Sequence, residues 1–260
     1  MLTRRLIACF DVVGGNVTKA IQFQDNIHVG PAVELAKSMY EAHVDELIFY
    51  DILASAEKRQ IDIETVKRVA REVFIPFTVG GGIRDVNDMY MALDAGAEKV
   101  SVDSMAVRNP SIITDGAKAF GSQCIVLSTQ VKREEGFPSG YRVYIDGART
   151  ATDLDAIEWL KRGEELGAGE ICLNSIDRDG TLGGYDMELM QMAEKAVNVP
   201  LIASGGAGLP EHLYDVFNQT GTLAAIISSM LYSPRLDRNY TVQELKEYLT
   251  KNGVAIQPMV

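Results

Sequence analysis

The sequence predicts a single α/β domain folded as a (β/α)8 TIM barrel, and three observations carry that expectation. Short β-rich apolar runs alternate with amphipathic segments of helical period, the pattern of βαβ units on a parallel sheet. Eight such runs occur, the number that closes a barrel with a filled interior. The chain also repeats itself: AVELAKSMYEAHVDELIF (32–49) and AIEWLKRGEELGAGEICL (156–173) lie about 124 positions apart, with a Glu, a Lys and two further Glu in register. FTVGGG (77–82) echoes IASGGA (202–207), and VDSM (102–105) echoes ISSM (227–230). Self-similarity on this scale implies two half-barrels, about 1–122 and 123–260, within one domain spanning 1–260.

Strands are expected at 5–11, 46–51, 75–79 and 98–103 in the first half, and at 124–130, 169–175, 200–203 and 224–229 in the second. The helices between them fall at 32–43, 61–72, 86–95, 109–119, 153–166, 187–196, 210–218 and 242–252, each burying one stripe against the barrel. The second helix opens at Asp62, whose carboxylate can accept a hydrogen bond from a free N–H of the first turn. Pro110 and Pro210 stand where a first helical turn tolerates a missing N–H. No linker, low-complexity tract or charge block interrupts the series.

At 260 residues and 47% apolar content the chain can bury one large core. A net charge of −11 argues against nucleic acid, whose phosphates demand a basic surface; an acidic exterior is ordinary for a cytoplasmic protein. Cys9, Cys124 and Cys172 lie inside apolar runs without CxxC spacing or a neighbouring His, which makes them small buried residues of a reducing compartment rather than metal ligands or disulfides. The start, MLTRRLIACFDV, is too short in its apolar part for a signal peptide, and no stretch reaches the roughly 20 apolar residues of a membrane span. No cofactor or metal is expected, since Asp51, Asp177 and Asp179 have no His or Cys companions and suit loop ordering or ligand hydroxyl contacts.

In a (β/α)8 barrel the active site lies at the C-terminal ends of the strands. The glycine loops GGGIRD (80–85), with Gly81 and Gly82, and GGAG (205–208), with Gly205 and Gly206, stand between strand and helix, where N–H groups attract phosphate. Each is followed one unit later by hydroxyls, Ser104 in one half and Ser228 with Ser229 in the other. Tight turns also want glycine, but two copies related by the repeat point to a small substrate with a phosphate at each end. Its middle would lie over Asp11 and Gln130, and Asp103, Asn174, Asp179 and Gly180, at the same strand ends and loops, join the glycines and serines as candidate phosphate- and substrate-binding residues. Asp11 can exchange protons, whereas the amide of Gln130 cannot. Lys19, after the first strand, suits anion binding or proton shuttling, against the alternative of a solvated lysine. At the opposite face Arg5, Glu46, Lys99 and Glu170 begin strands one, two, four and six, either as a paired rim or as a gate.

IACFDV (7–12) with Lys19, DELIFYDILAS (45–55), FIPFTVGGGIRD (74–85), EKVSVDSMAVRNP (98–110), FGSQCIV (120–126), LGAGEICLNSIDRDGTLGGYD (166–186), IASGGAGLPEH (202–212) and LKEYL (245–249) together resemble the cyclase subunit of imidazole glycerol phosphate synthase from end to end. The resemblance implies a lyase barrel of histidine biosynthesis that takes ammonia from a glutaminase subunit docked on its lower face, through a four-charge gate that Arg5, Glu46, Lys99 and Glu170 match. It implies use of that ammonia at the upper face to split and cyclise a bis-phosphorylated aminoimidazole ribotide, with two aspartates at the ends of strands one and five. Asp11 matches the first. Gln130 replaces the second, where the family reads AIDAKR and this chain STQVKR. The first loop reads NIHVGPA (26–32) in place of LRDxGDP, Asp103 replaces an Asn and places a negative charge at a phosphate position, and Asn174 replaces a small hydroxyl residue. These departures lead to the expectation of a diverged paralogue that delivers ammonia to another acceptor, as in the amidination of cell-surface sugars with a separate amidotransferase. The alternatives are the standard histidine-pathway cyclase and a sugar isomerase of the same lineage.

Overall fold

The computed structural model describes residues 3–21, 24–54, 59–233 and 238–259, and the side chains of residues 19–21 and 24–27 lie outside that description. From the N-terminus, β1 (Arg5–Val13) turns at Gly14 and Gly15 into an antiparallel pair, β2 (Asn16–Ile21) and β3 (Gln24–Pro31). There follow α1 (Ala32–Glu41), β4 (Glu46–Asp51), α2 (Ile63–Ala70), β5 (Phe77–Gly80), α3 (Val86–Asp94), β6 (Lys99–Val102), α4 (Ser104–Arg108) and α5 (Ser111–Phe120). The second half runs β7 (Ile125–Arg133), β8 (Tyr141–Ile145), β9 (Thr150–Asp155), α6 (Ala156–Leu166), β10 (Glu170–Ser175), α7 (Met187–Ala196), β11 (Leu201–Ser204), α8 (Pro210–Gln219), β12 (Ala224–Ile226), α9 (Ser228–Tyr232) and α10 (Val242–Lys251).

Eight of these strands pair in parallel in the order β1, β4, β5, β6, β7, β10, β11, β12, and β12 pairs back onto β1. The barrel is therefore closed and has no free edge. Successive side chains of a strand point to opposite faces. On β1, Leu6, Ala8, Phe10 and Val12 face the helices and join the large outer core, whereas Ile7 belongs to a second cluster inside the barrel with Ile48, Val126, Cys172, Ile202, Ala224 and Ile226. Leu6, Leu47 and Leu127 are wholly buried in the outer core, and truncating one such leucine to alanine costs ~2–5 kcal/mol.

The helices start where side chains satisfy free N–H groups. Asp62 accepts from Thr65 N at 3.1 Å, as expected, and Asp85, Asp155 and Asp186 do the same for α3, α6 and α7. Several boundaries differ from expectation. Pro110 occupies the N-cap of α5 rather than its first turn, while Pro210 is the first residue of α8. The last barrel strand ends at Ile226, and Ser228 already begins α9. The segment after strand one is a β-hairpin that stacks Thr18 opposite Asp11, so residues 26–31 of NIHVGPA lie in a strand, and 150–155 forms β9 ahead of α6. Of the three cysteines only Cys172 is fully buried; Cys9 and Cys124 are half-buried, and none of them is in a disulfide. Among the described residues no helix is long and apolar enough to cross a membrane, and no group of three or more His, Cys, Asp or Glu could hold a metal ion.

Candidate functional site

The two-residue period of the strands stacks three layers inside the barrel. Climbing β1, the inward positions are Arg5, Ile7, Cys9 and Asp11; climbing β10 they are Glu170, Cys172 and Asn174. One strand thus places a charge at the lower end and a polar group at the upper mouth.

At the lower end Arg5, Glu46, Lys99 and Glu170 form a closed ring. Arg5 donates to Glu46 and to Glu170 through its two terminal nitrogens, and Lys99 Nζ lies 2.9 Å from Glu46 Oε1 and 2.7 Å from Glu170 Oε2. The charges alternate around the barrel, because β1 and β6 carry the cations while β4 and β10 carry the anions. Glu46 and Glu170 are 1% and 6% exposed, so neither carboxylate can rely on water. Burial alone would lower the affinity of Arg5 for its proton; Glu170 and Glu46 outweigh it and raise it. Thr78 Oγ1 adds a bond to Glu46 at 3.2 Å.

Above this ring lies the apolar inner cluster, with Cys9 and Tyr50 packed on it. The Tyr50 hydroxyl is 3.3 Å from Ser128 Oγ and 3.4 Å from Ser101 Oγ. Burial pushes the Tyr50 phenol well up and the Cys172 thiol up to about 12, so both groups stay uncharged at neutral pH.

The upper mouth is a cavity of about 220 Å³. Of the residues expected at the site, Asp11, Gly81, Gly82, Asp103, Ser104, Gln130, Asn174, Asp179, Gly205, Gly206, Ser228 and Ser229 border it together. Gly180 is not among the described residues lining it, and the side chain of Lys19, which stands on β2 rather than in a loop, lies outside the described residues. Glycine is required in the loops: at Gly81 φ is +83° and an added Cβ would meet Asp51 O at 2.2 Å, and at Gly206 φ is +106° with Gly184 O at 2.1 Å.

The hydroxyls are less available than the sequence suggests. Ser104 Oγ accepts from Asp146 N at 2.9 Å. Ser228 Oγ accepts from Cys9 N and donates to Cys9 O, each at 2.7 Å, which ties α9 to β1. The helix ends behind the glycine loops are capped as well, α3 by Asp85 and α8 by His212 Nδ1, which accepts from Gly208 N and Leu209 N. Phosphate affinity here would come from the N–H groups of the loops. Asp51 orders its loop, accepting from Ala54 N at 3.1 Å and from both terminal nitrogens of Arg59 at 2.5 and 2.7 Å.

Asp103 does not stand alone as a misplaced charge. Gln130 Nε2 donates to its Oδ2 at 2.9 Å. Burial, reinforced by Asp146 and opposed by Arg108, pushes the Asp103 carboxyl up to about 7. The β8–β9 turn brings Asp146, Gly147 and Arg149 to the cavity, three residues that the barrel pattern does not single out. Its signal is the Asp-Gly pair at 146–147 between two β-prone runs; Asp146, Gly147 and Ala148 all have φ near +60°, between +58° and +65°.

Residues 5–237 match the family model described as histidine biosynthesis protein. The chain is 52% identical over 260 residues to the imidazole glycerol phosphate synthase subunit HisF of Desulfatibacillum aliphaticivorans, covering 99% of this chain and 98% of that relative. It is 51% identical to the proteins of the same name from Desulfosudis oleivorans and Desulforapulum autotrophicum, with 99% of both partners covered in each case.

Proposed function

Because the chain belongs to the histidine biosynthesis protein family and aligns with its HisF subunits along nearly its whole length, we propose that it is the ammonia-using cyclase barrel of an imidazole glycerol phosphate synthase. A glutaminase subunit docks on the lower face and releases ammonia there. Ammonia crosses between Arg5, Glu46, Lys99 and Glu170, passes the uncharged inner layer, and reacts at the upper mouth. The closed four-charge ring carries this reading. A wholly structural ion ring of this burial stabilises little over apolar packing, so its value lies in being able to open. The apolar layer above it suits neutral ammonia and opposes ammonium, whose desolvation is costly.

The acceptor in this reading is a bis-phosphorylated aminoimidazole ribotide, its two ends held by the N–H groups of the Gly81–Gly82 and Gly205–Gly206 loops and its reacting centre over Asp11, with Lys19 as an anion-binding residue. In this reading each half-barrel, about 1–122 and 123–260, supplies one of the two glycine loops that border the cavity. The setting is the cytoplasm. A second reading, delivery of ammonia to a different acceptor together with a separate amidotransferase, draws support from Asp103, a half-buried carboxylate bordering the same mouth beside Ser104, where in its ionised form it would repel a phosphate.

The test is turnover of the ribotide by the purified chain with saturating ammonium, beside Gln130→Asp. Turnover by the native chain supports the cyclase reading. No turnover by either protein, with a glutaminase still binding, supports the second; failure of both turnover and glutaminase binding defeats the proposal.

A further inference from the structure

We infer that Asp103 is the second proton-transfer group of the upper mouth, held in place by Gln130, so that the site works with the carboxylates of Asp11 and Asp103 on β1 and beyond β6. This rests on the ammonia-using reading above and names the residue that reading lacks.

Three observations on different atoms support it. Asp103 and Gln130 both border the cavity, and the 2.9 Å bond from Gln130 Nε2 to Asp103 Oδ2 fixes one carboxyl oxygen and leaves the other to act. An amide cannot relay a proton, but as a donor it orients a carboxylate. Second, Gln130 Oε1 and Asn174 Oδ1 are buried with no hydrogen-bond partner, and these residues stand opposite each other in the β7–β10 register. Two unsatisfied acceptors side by side call for a ligand that brings N–H or O–H donors. A phosphate brings only acceptors when ionised, so this edge of the mouth faces the reacting nitrogen-bearing centre rather than a phosphate end. Third, the proton affinity of Asp103 suits the role: near neutrality it is present as both acid and base. The charged groups around it are Asp146 and Arg149 from the β8–β9 turn, Arg108 from α4, and Asp11, Asp51 and Asp179 around the rest of the cavity.

The step balances without any other reactant. Ammonia forms a bond to an unsaturated ligand carbon with its lone pair, and the π pair of that carbon moves to its heteroatom. The heteroatom takes the proton of the neutral Asp103 carboxyl, while the Asp11 carboxylate takes one proton from the newly bonded nitrogen. One proton has then moved from Asp103 to Asp11, and their roles reverse when the next bond breaks.

The experiment measures ammonium-driven turnover of the bis-phosphorylated aminoimidazole ribotide from pH 5 to 9 for the native chain, Asp103→Asn, Asp103→Glu and Gln130→Leu, with 13C NMR titration of the Asp103 carboxyl in the native and Gln130→Leu proteins. Asp103→Asn is expected to lower kcat by ~10²–10⁴ with KM little changed and to abolish the limb of the native profile near 7, and Asp103→Glu to restore part of the rate. Gln130→Leu removes a donor to the carboxylate, so it should move that limb and the NMR midpoint to higher pH together. Native turnover with an Asp103→Asn rate within threefold of it overturns the inference while leaving the cyclase reading intact. No native turnover fails the cyclase reading instead. The titration then decides, a midpoint near 4 that ignores Gln130→Leu overturning the inference and one near 7 that rises with it supporting it.

Discussion

The amide of Gln130 donates a 2.9 Å hydrogen bond to the carboxylate of Asp103, joining the ends of two adjacent barrel strands that are 27 residues apart in sequence. Each residue alone looks like a loss: Gln130 removes a carboxylate, and Asp103 adds one where it would be costly. Together they exchange an amide and an acid between neighbouring strands.

That desolvated acid has a pH signature. Below about pH 4 the Asp103 carboxyl is protonated whether the chain is folded or not, and folding is not penalised. Between about 4 and 7 the unfolded chain ionises while the folded one stays neutral, so stability falls as pH rises, and above about 7 the penalty is complete. The gap is worth on the order of 4 kcal/mol. Asp103→Asn should therefore be more stable than the native chain at pH 8 and lose most of that advantage by pH 4.5, as read from urea midpoints. An advantage independent of pH would mean that Asp103 titrates normally.

Lys99→Met should leave Glu46 and Glu170 sharing Arg5 alone. Breaking a buried ion network from one side costs ~3–5 kcal/mol because one buried negative charge is left uncompensated. Replacing all four charges with apolar residues of similar size should cost much less, and chemical denaturation of the two variants would show the difference.

Gly81→Ala should destabilise the loop and weaken ligand binding together. The left-handed φ of +83° costs an L-residue ~1–3 kcal/mol, and the new methyl would collide with the Asp51 carbonyl. Thermal melting and calorimetric titration with the ribotide would read the two effects; a normal melting temperature with normal affinity would show that the loop can move aside.

Much of this was legible in the residues. The strand at 46–51 is legible to the residue, and the lower-end charges group because a strand's inward positions recur every second residue, so Arg5 and Asp11 must face the same interior three steps apart. The hairpins β2–β3 and β8–β9 were harder. They lie outside the barrel's period, and the signals are the Gly14–Gly15 turn that leads from β1 into β2 and the Asp146–Gly147 turn between β8 and β9, rather than apolar runs. The five-residue helices α4 and α9 are too short to show a period. The Asp103–Gln130 bond depends on the stagger between β6 and β7, where Val102 faces Leu127, and no local pattern encodes that stagger.

The central claim, that ammonia enters between the four charges and reacts at the far mouth, is tested most directly by comparing two assays of one variant in complex with its glutaminase. For Glu46→Ala and for Lys99→Ala, ribotide turnover driven by glutamine should fall well below turnover driven by free ammonium, because only the first must pass the ring intact. Equal losses in the two assays would contradict the account and leave the ring a structural rim.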